Sequence, residues 1–202
     1  MRSLLVAGLV LAVFAMAACS DDDGGGGGGG TETGGDGGGA TTVTNETYVS
    51  GLCTSMGTYI ADVQTITTDF SASLDPSAAV ADQKAAVLTY LDDVITATQS
   101  MIAEVNAIGT PEVDNGAEVV AAVNNSFLQA QAVLEDASSQ VQALSADDPV
   151  AFGTALIDLG TSLESSMAGV GDSLGALDSQ ELSEAAAAAP ACAQFGGGIG
   201  TT

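Results

Sequence analysis

The sequence predicts an all-α fold over residues 45–195: a four-helix up-down bundle with a short C-terminal fifth helix, preceded by a disordered Gly-rich tether. Three observations predict it. Apolar residues recur at three- and four-residue steps through four successive stretches, the spacing of one helix face. Period-two alternation is absent over any useful length, so no sheet is expected. Short links bearing Pro, Gly and Asp separate the stretches, and short links make consecutive helices antiparallel neighbours.

Residues 1–18 have the layout of a secretory signal peptide. Arg2 supplies a small positive start, residues 4–15 are apolar, and Ala17 and Ala18 are small residues suited to a peptidase. The apolar run is short for a spanning helix, which needs about 20 residues. Its end, Met16-Ala17-Ala18-Cys19, resembles the lipobox of bacterial lipoproteins, with Met16 where Leu is usual. The resemblance implies cleavage before Cys19 and lipid on that cysteine: a diacylglyceryl group, often with a further acyl chain such as palmitate on the amine. Two or more chains anchor stably where one is marginal. The partner this implies is the membrane, held through Cys19 on its extracytoplasmic face.

Residues 19–44 are expected to be the lipidated cysteine and a disordered linker of Gly, Asp and Thr. Glycine this dense does not offset its ordering entropy. A flexible chain of about 25 residues has a reach on the order of 25–30 Å. The run is no phosphate cradle, because no strand precedes it and no Gly-Lys-Ser/Thr follows it.

The first helix is predicted over residues 46–73, from Val49, Leu52, Cys53, Met56, Tyr59, Ile60, Val63, Ile66 and Phe70. The second opens at Asp75-Pro76, a cap followed by a residue suited to the first helical position. Its stripe is Val80, Val87, Leu88, Leu91, Val94, Ile95, Met101, Ile102, Val105 and Ile108, and Gly109 and Pro111 stop it. Lys84 falls in a gap of the stripe and is expected to be exposed. The third helix begins near Asp114 or Asn115 and carries Val120, Val123, Phe127, Ala130, Leu134, Ala137, Val141 and Leu144, the most regular pattern in the chain. Residues 145–149 close it and open the fourth.

The fourth helix carries Phe152, Leu156, Leu159, Leu163, Met167, Val170, Leu174 and Leu177, interrupted by Gly153, Gly160, Gly169, Gly171 and Gly175. Each interior glycine costs up to about 1 kcal/mol against alanine. Bending, looseness or close packing on a neighbour is expected there. Asp178-Ser179-Gln180-Glu181 caps a short fifth helix through the alanines at 185–189, and Pro190 ends it. Residues 196–202 are expected to form a disordered tail.

Up-down topology returns the end of helix four to the start of helix one, so the last helix brings Cys192 to Cys53. The cysteine count agrees. With Cys19 consumed by lipid, Cys53 and Cys192 remain as an even pair in an exported chain. Such a bridge closes a loop of about 140 residues, nominally worth about 4–5 kcal/mol.

The totals exclude several chemistries. Twenty-six acids stand against two bases, Arg2 and Lys84. Such a surface repels nucleic acid and does not lie flat on an anionic bilayer. It favours solubility, with weak divalent-cation binding as the sharper alternative. Histidine is absent, which removes Ser-His-Asp and Cys-His catalysis, His-bound zinc and the Glu-x-x-His motif of di-iron bundles. Asp92, Asp93, Glu104, Glu135, Asp136 and Glu164 avoid the stripes and read as solvated faces, and no calcium-hand loop occurs. Gly171-Asp172-Ser173-Leu174-Gly175 matches the G-x-S-x-G elbow in letters, but that elbow needs a preceding strand and a histidine. Asn45 and Asn124 begin glycosylation sequons that a bacterial host leaves idle. No catalytic residue, metal ligand or cofactor is expected. The plan is similar to small acidic lipoproteins of high-GC Gram-positive bacteria. The expected function is a non-enzymatic, monomeric or weakly oligomeric envelope protein that binds another protein or scaffolds an assembly. The alternative is a carrier of a small apolar ligand held between the helices.

Overall fold

The computed structural model describes residues 41–75, 77–175 and 179–195, with the side chains of 164–175 set aside. The signal segment, Cys19, the tether to residue 40, Pro76 and the tail from residue 196 lie outside the described residues. The chain is all-α as predicted. In order come β1 (Thr42–Val43), α1 (Asn45–Ser73), α2 (Val80–Ile108), β2 (Thr110–Pro111), α3 (Gly116–Ala143), α4 (Pro149–Gly175), α5 (Gln180–Ala188) and a closing 3₁₀ turn (Pro190–Phe195).

The helix starts follow local hydrogen bonding. The Thr44 hydroxyl accepts from the Thr47 amide at 3.2 Å and caps α1. Asp148 Oδ1 accepts from the amides of Val150 and Ala151 at 3.0 and 3.1 Å, with Pro149 at the first helical position of α4. Ser179 caps α5 by accepting from Leu182. The expected cap of α2 is corrected. Asp75 Oδ1 instead accepts from both the amide and the hydroxyl of Ser77, at 2.8 and 2.6 Å. The carboxylate is used inside a turn, and α2 starts at Val80 without a side-chain cap.

Two expectations about residues 41–44 and the absence of a sheet are also corrected. Thr42 and Val43 pair in parallel with Thr110 and Pro111, and the Thr110 amide donates to the Thr41 carbonyl at 2.9 Å. The pairing is parallel because both strands feed helices that run the same way, α1 and α3, while α2 returns between them. Gly109 makes the contact possible. Its φ is 107°, and a Cβ there would strike the Thr41 carbonyl oxygen.

Consecutive helices pack side by side, α1 on α2, α2 on α3 and α3 on α4, while α5 and the 3₁₀ turn pack on α1. The fourth position of the bundle is thereby divided along its length. At the end where α1 begins, Tyr48, Val49, Cys53, Met101, Val105, Val119, Val123 and Phe127 form a core closed by Ala186, Ala189 and Cys192. At the other end, Phe70, Val87, Leu91, Val94, Leu134, Ala137 and Val141 form a second core flanked by Leu156, Leu159 and Leu163 of α4. Between them lies a polar waist. Thr98 is fully buried and its hydroxyl donates to the Val94 carbonyl at 2.9 Å. That uses its one hydrogen, so Tyr59 is the donor in the 3.3 Å contact between the two hydroxyls. The Tyr59 ring meets Phe127 edge-on at 6.2 Å.

Lys84 is half-buried rather than exposed. Its ammonium donates to the carbonyls of Gln142 and Leu144 at 2.7 and 2.8 Å, where α3 ends. Those carbonyls have no helical partner and lie at the negative end of the α3 dipole, so a cation is the fitting donor. Lys84→Met is therefore expected to destabilise the domain by about 1 kcal/mol, read as a lower urea midpoint with an unchanged slope. At Gly153 a Cβ would meet nothing within 4 Å, so close packing does not explain that glycine. Gly153→Ala is expected to stabilise α4 by about 0.5–1 kcal/mol, and a lower melting temperature would contradict this.

Candidate docking surface and the disulfide

Of the three cysteines singled out in the sequence, two meet in the structure. Cys53 and Cys192 form a disulfide, with Cα atoms 5.2 Å apart across 139 residues of chain. Both are fully buried. Cys53 stands two turns into α1 on the face that looks onto the first core, and Pro190 turns the chain after α5 so that Cys192 points back at it. The 3₁₀ turn comes close enough that a Cβ at Gly57 would strike the Gln194 amide. Sγ of Cys192 also lies 3.7 Å from the Val49 carbonyl oxygen. With no S–H left to donate, that approach is packing rather than a hydrogen bond.

Among the described residues, three buried side-chain oxygens lack a hydrogen-bond partner, those of Asn45, Tyr48 and Asn124, and Tyr48 belongs to this core. Tyr48 is 1% exposed, and its hydroxyl has no hydrogen-bond partner among the described residues. Burial pushes its pKa up to about 12, because the phenolate loses more by desolvation than the phenol. Burial also raises the pKa of Tyr59. On the surface, the hydrogen bonds from Ser77 lower the pKa of Asp75.

The acidic faces are where the sequence puts them. Asp92, Asp93, Glu104, Glu135 and Asp136 are all exposed, and no group of three metal-ligating side chains occurs among the described residues. Residues 171–175, which carry the G-x-S-x-G letters, lie in the last turns of α4, so a helix and not a strand leads into the serine. No helix of the described residues is long and apolar enough to cross a membrane.

A trough that the sequence reading missed runs along the outside of the α3–α4 contact. Two clefts of about 240 and 350 Å³ share Gln140, Leu159 and Ser162. The first is lined also by Ala132, Val133, Ala137 and Leu163, with the exposed Asp136 at its edge, and the second adds Leu144, Ala155 and Asp158. Gln140 donates to Asp136 Oδ2 at 2.6 Å, which orients the carboxylate. Both clefts open to solvent and neither is enclosed in the bundle. Leu159 and Leu163 line the trough and stay only half-buried although they pack on the second core.

No family model, curated protein or solved structure matches this chain.

Two outcomes follow from the buried groups. Tyr48→Phe removes an unpaired hydroxyl and is expected to leave stability unchanged or raise it by about 1 kcal/mol near neutral pH. Its folded-state pKa lies above the unfolded one, so Tyr48 keeps its proton in the fold while the unfolded chain ionises. Stability is therefore intact below pH ~10 and falls as the pH rises towards 12. Tyr48→Phe should flatten that fall in urea titrations between these limits. Separately, Cys192→Ser is expected to cost about 4–5 kcal/mol, with protease cleavage appearing first in α5.

Proposed function

We propose that this chain is an extracytoplasmic lipoprotein whose helical domain is a non-catalytic docking module. The observation that carries the reading is the order of segments in the sequence: a signal-like apolar run, Met16-Ala17-Ala18-Cys19, a glycine- and acid-rich stretch to residue 40, and then the bundle. Each part has a physical role. Lipid on Cys19 holds the chain to the membrane. The glycine-rich stretch gives reach, and its acids repel an anionic membrane surface. The bundle supplies a stable body with a disulfide suited to an oxidising compartment.

Docking is preferred to carriage of an apolar ligand because the α3–α4 clefts lie at the surface. The two core clusters, by contrast, are built of residues that pack on one another. The absence of histidine removes the commonest acid–base group from any catalytic alternative. Cys19→Ser, expressed in a bacterial host that makes lipoproteins, is expected to move the protein from the membrane fraction to the soluble one. The parent chain should label with a radioactive fatty acid. Retention of the variant on membranes would defeat the anchor.

A further inference from the structure

We propose that the α3–α4 trough is the docking face of the domain, and that its occupant is a cationic amphipathic segment of another protein. This rests on the reading of the bundle as a docking module and adds the chemistry of the partner.

The floor of the trough asks for apolar side chains. Leu159 and Leu163 pack on the second core yet stay only half-buried. The walls beside them are small residues, Ala132 and Ala155 among them, so the ridge of an incoming helix finds grooves rather than bulk. The rim asks for cations. Asp136 and Asp158 are exposed on opposite helices, one on each side of the floor. Gln140 orients Asp136 without neutralising it.

The described residues cannot supply the missing positive charge. Lys84 is the one cation among them, and the two carbonyls at the end of α3 hold its ammonium. A second copy of this chain would bring its own net charge of −24 against the rim. A fatty acid or anionic lipid meets the same repulsion. A neutral apolar helix would bury the two carboxylates without partners, at a desolvation cost. A segment with Leu-like residues at helical spacing and Lys or Arg along both flanks meets the floor and the rim together.

The test is an NMR titration of the full chain with three synthetic helical peptides of roughly 18 residues: Leu/Lys, Leu/Gln and Ser/Lys. The Leu/Lys peptide is expected to shift amides around Ala137 and Leu159 and to bind about tenfold tighter than either control. Leu159→Glu, and separately Asp136→Asn with Asp158→Asn, should each weaken it about tenfold, while Asp62→Asn with Asp69→Asn on α1 changes it less than about twofold. Equal weakening by the α1 pair, or shifts spread over every helix, overturns the assigned face. Equally tight binding of Leu/Gln at the trough overturns the cationic partner and leaves a docking module standing. If no peptide binds and palmitate instead shifts Val105 and Phe127 in the core, both the proposal and the docking reading fall.

Discussion

The bond between Cys53 and Cys192 is what lets the first core close. Three helices of small and medium side chains, with few aromatics, leave the end built on Tyr48, Val105 and Val123 without a fourth wall. α4 does not supply it, since its packed leucines lie against the second core at the other end. The wall is α5, an alanine-rich segment of nine residues. Isolated helices this short are marginal in water, and Ala186 and Ala189 bury little apolar area. The disulfide substitutes connectivity for area. It lets a weak helix act as a permanent part of the core.

The long helices were legible because their apolar stripes are sustained, and α1 and α3 start within two residues of where the pattern puts them. What the pattern obscured was the polar residues that sit on a stripe. Val80, Lys84, Val87, Leu91, Val94, Thr98, Met101 and Val105 follow alternating steps of four and three, so Lys84 and Thr98 occupy core-facing positions. Reading only apolar letters turned both into gaps. Each has a partner that local sequence does not reveal, the end of α3 for Lys84 and Tyr59 for Thr98. Asp75 shows the converse. It has the right type for a cap, but Ser77 lies closer than the first turn of α2 and takes its carboxylate. The α3–α4 trough was hidden because it depends on which flank of α4 stays bare, and periodicity gives only the face that is covered.

The charge distribution completes the picture. Exposed carboxylates almost without counter-ions make surface ion pairs irrelevant to stability, which then rests on the two cores, the buried hydroxyl contacts and the covalent link. The same surplus sets a repulsion between copies of the chain, and the proposed partner at Asp136 and Asp158 would bring the opposite charge.

The short parallel pairing of Thr42–Val43 with Thr110–Pro111 also sets a mechanical polarity. It fastens the chain's entry to the end of the bundle where α1 and α3 begin, the end that the disulfide secures as well. Any pull transmitted from residue 40 arrives there. Asp136 lies 20 residues beyond Gly116, about 30 Å farther along α3. An anchor upstream of residue 40, as proposed, would thus hold the domain by its reinforced end, with the trough towards the distal one, outside the path of the load.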